Sequence, residues 1–263
     1  APPAAKAGPG RAPGLDGLGK TLTTGAGPQG AALFCTRTER GKAMLEGLQQ
    51  YAAQIGVPLS DEQAQAMRTY WAAVLETNRH TNLTRITDDK EATLKHFIDS
   101  LSVLPTGVFG PGARVADVGT GAGFPGVPLK IARPDLQLVL IDSTLKRVRF
   151  LRSVIRLLGW DDVEAVHARA EALAADPKWA GTFDLVVARA VAKLDALANW
   201  CLPLLRPGGR LVAMKGPDVA EELKEAAGAL AAGGGRLVKV ERLALPEGAG
   251  RRSIVIVERT GAG

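Results

Sequence analysis

From Gly112 onward the chain alternates short β-branched runs with helical patterns, and that rhythm restricts its fold more than any other feature. Arg114–Val118, Leu136–Ile141, Val163–His167, Phe183–Ala188 and Arg210–Met214 read as strands. Between them, Ser143–Leu158, Leu194–Leu205 and Val219–Leu230 carry apolar residues at helical spacing. Parallel strands need helical crossovers, so the alternation predicts an α/β fold with a doubly wound, mostly parallel twisted sheet. The last two runs, Arg236–Val240 and Ile254–Glu258, have no long helix between them and should pair antiparallel.

Ahead of this core, three helical patterns form a predicted cap over residues 43–105. In the first, Met44, Leu45, Leu48 and Ala52 share one face, and Gly56 with Pro58 ends it. Ser60 with Gln63 forms a capping-box signature before Met67, Trp71, Val74 and Leu75. Asn78–Thr84 reads as a polar loop. Asp88 with Glu91 repeats the signature before Leu94, Phe97, Ile98 and Leu101, and Pro105 closes that helix. Residues 43–263 are therefore expected to form one domain, the cap followed by a core over 112–258.

Residues 1–42 hold nine glycines and five prolines with few large apolar groups. Such a stretch buries too little surface to offset its ordering entropy, so it reads as a disordered extension. It also carries four of the six net positive charges, leaving the rest nearly balanced, so bulk charge is weak support for a nucleic-acid partner. No apolar run is long enough to span a membrane, and no leader pattern opens the sequence. Two cysteines, Cys35 and Cys201, supply neither a disulfide framework nor a metal site, which points to the cytoplasm. Nothing suggests an obligate partner, so a monomer is expected.

The first strand runs into Val115-Ala116-Asp117-Val118-Gly119-Thr120-Gly121-Ala122-Gly123. Glycines there let the backbone turn sharply and approach a ligand closely. Gly121, Gly123 and Gly126 also satisfy the dinucleotide spacing, so the loop alone does not separate the two cofactor classes. Asp117, two positions before Gly119, does: a carboxylate there suits the ammonium of a methionine moiety and would repel a pyrophosphate. Asp142, 23 residues beyond Gly119, is placed to accept from ribose hydroxyls. The combination of Val-x-Asp-x-Gly-x-Gly-x-Gly with a downstream Asp resembles the S-adenosylmethionine-binding motifs of class I methyltransferases, which implies that cofactor and a Rossmann-like fold.

For the acceptor, the exit of the fourth strand reads Val187-Ala188-Arg189-Ala190-Val191 and lacks the Asn/Asp-Pro-Pro-aromatic loop of exocyclic-amine methylation. Cys201, the other possible catalytic device, lies in an apolar helical run and reads as a core residue rather than a nucleophile. A ring nitrogen needs neither device, although small-molecule acceptors stay open. Arg169, Arg189 and Lys215 follow the third, fourth and fifth strands and should face one rim. Lys146, Arg149, Arg152 and Arg156 share a helix face, either a solvated surface or a stripe for RNA phosphates.

Asn82-Leu83-Thr84, His96-x-x-Asp99-Ser100, Asp117 through Gly126, Lys146-Arg147-Val148-x-Phe150-Leu151, Ala188–Ala192 and Met214-Lys215-Gly216 closely resemble the small-subunit (16S) ribosomal RNA methyltransferase G family, also called glucose-inhibited division protein B. The resemblance spans roughly residues 43–258. It implies methyl transfer to N7 of a guanine in small-subunit ribosomal RNA, free or in the small subunit. By position, Gly119, Phe124 and Asp142 would contact the cofactor, with Asp117, Gly121, Gly123 and Ser143 beside them and Ala170-Glu171 at the adenine. Arg189 would lie between cofactor and guanine as the positioning residue, with Arg169 and Lys215 completing a basic pocket and Lys146 and Arg149 on the RNA. His96 and Asp99, three apart on one helix face, either fix the cap to the sheet or stand near the methionine end. A small-molecule methyltransferase and a cofactor-binding assembly factor remain the rival readings.

Overall fold

A computed structural model describes residues 40–261, with side chains from Gly47 onward. The expected disorder of residues 1–39, and the facing of Met44 and Leu45, lie outside the described residues, while residues 40–42, expected in the disordered extension, open the first helix.

Seven strands form one sheet: β1 Arg114–Val118, β2 Gln137–Asp142, β3 Val163–His167, β4 Phe183–Arg189, β5 Leu205–Lys215, β6 Gly235–Ala244 and β7 Arg251–Arg259, in the order β3-β2-β1-β4-β5-β7-β6. The first five pair in parallel, and β7 enters reversed between β5 and β6. This is the expected mostly parallel, Rossmann-like sheet with an antiparallel last strand. Boundaries of β1 to β4 shift by at most a residue from the sequence reading, whereas β6 runs on from Val240 to Ala244, β7 starts at Arg251 instead of Ile254, and β5 departs furthest. There Leu205–Gly209 extend the strand across an irregularity opposite Phe183.

Alternating side chains divide the core into two layers. Val115 and Leu138 face the cap, packed with Leu48, Met67, Phe97 and Leu101. Ala116 and Val118 face the other side, with Leu194, Leu197, Cys201 and Leu230. The central strands are buried on both faces, which is why they read as unbroken apolar runs.

The cap consists of α1 Arg40–Gln54, α2 Asp61–Thr81 and α3, the last built from consecutive segments Asp89–Ala92, Thr93–Ile98 and Asp99–Leu101. Both halves of the Ser60–Gln63 capping box form. Helix α2 runs to Thr81, so Asn78–Thr81 is helical and not loop. Asn78 uses its side chain on both the N–H and the C=O of Thr84, which gives that polar stretch its purpose. Asp88 caps α3 through Glu91 N–H, while the Glu91 carboxylate turns to Lys95 and leaves the box half made. Thr93–Ile98 winds as a π turn, a feature that no residue pattern announced.

The remaining helices are α4 Gly126–Ala132, α5 Leu145–Leu158, α6 Ala170–Ala174, α7 Leu194–Cys201 and α8 Ala220–Ala232. Sequence periodicity missed α4 because Gly126–Ile131 is buried all round and shows no polar face. Tyr70, fully buried, joins cap to core: its hydroxyl donates to Ala122 O at 2.7 Å and its ring packs on Phe97 and Phe124.

Candidate functional site

The carboxyl ends of β1 and β2 fold into one cradle. Gly119 and Thr120 N–H both donate to Ile141 O, and Gly121 N–H donates to Asp142 Oδ2 at 3.0 Å. Gly119 and Gly123 adopt φ of 70° and 113°, conformations that L side chains rarely take. A Cβ on Gly119 would stand 2.7 Å from Val191, so the exit loop of β4 lies directly against the glycine loop. One on Gly123 would meet Val127 at 2.7 Å and the Tyr70 hydroxyl at 2.8 Å.

Asp117 is wholly buried beneath this loop. Its Oδ2 accepts from Thr120 Oγ1 and Gly126 N–H, both at 2.7 Å, while Oδ1 has no hydrogen-bond partner among the described residues. Burial pushes its carboxyl up to about 6 against the opposing pull of those bonds. Thus Asp117 first holds the loop, and only its second oxygen is left to meet anything else. Asp142 is also buried and is oriented by Thr144 N–H on Oδ1 and by Arg147 on Oδ2 at 3.4 Å. Ser143 beside it is exposed, and its carbonyl accepts from His167 Nε2. Across the rim Ala170 is buried and Glu171 exposed at the start of α6.

Arg189 ends β4 and reaches the cap. Its Nη1 donates to Lys95 O and to Asp99 Oδ2, both at 3.1 Å, while the guanidinium lies 5.3 Å from the Phe124 centroid. Asp99 is 4% exposed and is held from its other oxygen by Arg252 Nε at 2.9 Å. His96 stacks on Phe124 at 4.4 Å, with Nε2 2.8 Å from Thr84 Oγ1 and Nδ1 buried without a partner among the described residues. Burial, aided by the Arg189 charge, pushes this imidazole down to about 3, so it is neutral near pH 7. His96 and Asp99 therefore do fix the cap to the sheet, and they do so beside the glycine loop. Ala190 follows Arg189 at φ 54°, a strained conformation for alanine that turns the chain toward Val191 and Gly119.

The expected basic pocket comes together only in part. Arg169 is exposed at the rim. Lys215 instead points inward: its Nζ donates to Ala192 O at 2.6 Å and pairs with Glu222, so its charge is spent on the fold. Lys146 and Arg149 are exposed on α5, whereas Arg152 turns back to Ala165 O. Cys201 is fully buried, and burial raises its thiol well above the ordinary range, consistent with a core role. Sequence reasoning missed Arg252, whose partner Asp99 is 153 residues away, and Tyr70, whose hydroxyl carries no motif.

The family model described as rRNA small subunit methyltransferase G matches residues 63–254. The Ribosomal RNA small subunit methyltransferase G of Lactobacillus acidophilus is 46% identical over 203 residues, covering 76% of this chain and 85% of its own. That of Pelotomaculum thermopropionicum is 41% identical over 218 residues, covering 83% and 91%. A solved SAM-dependent methyltransferase from Aquifex aeolicus is 21% identical at a TM-score of 0.48, covering 64% of this chain and 93% of its own. With the family model matched over residues 63–254 and a relative 46% identical over 203 residues, the chain belongs to the rRNA small subunit methyltransferase G family.

Proposed function

We propose that this chain transfers a methyl group from S-adenosylmethionine to N7 of a guanine in small-subunit ribosomal RNA. The observation that carries the reading is a glycine cradle closed on two buried carboxylates, Asp142 and Asp117, the latter with an unpartnered oxygen. These residues fit the cofactor. The unpartnered Asp117 Oδ1 suits an ammonium group, Asp142 suits ribose hydroxyls, and Gly119, Gly121 and Gly123 let the backbone close around the ligand. Phe124 and Ser143 line the same cradle, with Ala170 and Glu171 assigned to the adenine. When bound, S-adenosylmethionine supplies a methyl group on a positively charged sulfonium.

The protein's own task is positioning. Arg189 uses Nη1 on the cap, while Nε and Nη2 make no hydrogen bond among the described residues and are left for the base or its phosphate. Guanine N7 carries a lone pair and no proton, so a neutral His96 is no obstacle and no general base is called for. Arg169, Lys146 and Arg149 serve the RNA backbone from the same side, and Lys215 acts by holding the β4 exit loop through Ala192. On this reading the protein works as a monomer in the cytoplasm on a single-stranded loop whose base can be splayed out.

The test is transfer of labelled methyl from S-adenosylmethionine to purified small subunits, extracted ribosomal RNA and transfer RNA in parallel, with nuclease mapping. Label confined to 7-methylguanosine of the small-subunit RNA supports the assignment. Cofactor binding with no label in any RNA would turn attention to small-molecule acceptors.

A further inference from the structure

The β6–β7 hairpin and the exit of β5 enclose a cleft of about 390 Å³, walled by Pro217, Asp218, Arg242, Ala244, Arg251 and Arg252. That volume is in the ordinary range of ligand pockets, about 300–1,000 Å³. Arg242 pairs with Ser253 and Ala244 with Arg251, so Arg242 and Arg251 are diagonal neighbours on one face of the ladder, about 7–8 Å apart. Neither meets a carboxylate among the described residues, and both are exposed. The carboxylate in the wall, Asp218, is turned onto Ala220 N–H. The turn beyond is anchored by Leu245 N–H on Gly250 O and by Lys90 on Glu247, so the wall is preformed.

We infer that this cleft is a second RNA contact, seating the phosphodiester backbone beside the acceptor nucleotide on Arg242 and Arg251. It opens on the carboxyl rim that carries Arg189, since β7 begins where β5 ends, at the pairing of Lys215 with Ser253. Two strand spacings, about 10 Å, separate β4 from β7, so the cleft lies within reach of neighbouring nucleotides. Planar guanidiniums suit phosphate oxygens in a bidentate fashion. Arg252 links the cleft to the acceptor side, because it shares Asp99 with Arg189. The assignment rests on the reading that the acceptor is RNA.

The experiment measures the salt dependence of binding to extracted small-subunit RNA for wild type, Arg242→Gln, Arg251→Gln and the double variant, alongside S-adenosylmethionine affinity and methyl-transfer kinetics. Lys178→Gln, exposed at the opposite end of the sheet, is the control. Each arginine replacement should lower the slope of log affinity against log salt by about 0.7. The double variant should raise the RNA KM at least about tenfold, with cofactor affinity and kcat unchanged. Slopes and KM equal to those of wild type would overturn the subsite while leaving methyl transfer to RNA intact. Arginine-dependent slopes without any methyl transfer by wild type would instead support the subsite and overturn the proposed function. Arg252 is left unaltered because its loss would also release Asp99.

Discussion

The two ends of the carboxyl rim are built from different material. At β1 and β2 the cradle is backbone: three glycine positions and two carboxylates gathered within 26 residues of chain and tied down by short hydrogen bonds. From β4 through β7 to β6 the rim is made of arginine side chains, held by pairs such as Arg252 with Asp99 that join opposite ends of the sequence. A backbone cradle suits a ligand that is the same in every turnover. Long side chains reaching across a seam between cap and sheet suit a larger partner that must be admitted and released.

Substitutions can break this contrast. Gly123→Ala should have the largest effect, losing about 4 kcal/mol in urea unfolding, because a positive φ and a collision with Val127 and Tyr70 act together. A stability near wild type would show the cradle to be softer than its geometry. Arg189→Ala should lower methyl transfer about 100-fold while cofactor affinity stays within a few-fold, since the fault lies in alignment. Equal losses in both would place Arg189 in the cradle and not on the seam.

Asp117→Asn sharpens the contrast from the other side. A carboxyl raised to about 6 from an ordinary 3.8 is stabilising only when protonated, so its penalty grows as pH rises from about 4 to 6 and is complete above that. The amide should therefore gain about 1–2 kcal/mol at pH 7.5, after allowing for its unpaired NH2, while S-adenosylmethionine affinity falls at least about tenfold. Lys215→Gln should cost about 1 kcal/mol of stability and leave the salt dependence of RNA binding unchanged, as befits a cation already paired.

His96 gives the most specific effect, one that shows only as a pH dependence. Held neutral down to about 3, it contributes stability that is complete above pH 6.5 and is lost as pH falls through that window. Between pH 4 and 6 its slope opposes that of Asp117. In His96→Gln the compensating slope disappears, so stability relative to wild type should fall as pH rises from 4 to 6, by up to about 1.4 kcal/mol per pH unit. Parallel curves would mean that the imidazole is protonated in the folded protein.

The contrast also explains what could be read beforehand. The parallel sheet and its antiparallel final pair follow from the βαβ rhythm and its break, and the Ser60 cap and the cradle residues are written within short windows, where glycine and aspartate have few other uses. The cation rim was misjudged at Lys215 because strand position gives the rim but not the partner: Glu222 intercepts the ammonium from α8. Helix α4 lacks a polar face, and the π turn over Thr93–Ile98 carries no residue signature of its own, so neither leaves a periodic trace. Arg252 was invisible for a simpler reason. Only the folded sheet brings residue 252 to residue 99.

The reversed insertion of β7 has a consequence for how the chain is made. β6 leaves the ribosome before β7, yet its seat in the sheet exists only once β7 has paired with β5. Until then β6, with Leu237 and Val238 still 44% and 42% exposed in the finished fold, is a free sticky edge. β7 also brings Arg251 and Arg252, so that part of the arginine side is completed after the glycine loop has been made. A nascent chain would thus have its glycine loop in place before it had any of that hairpin's grip on RNA.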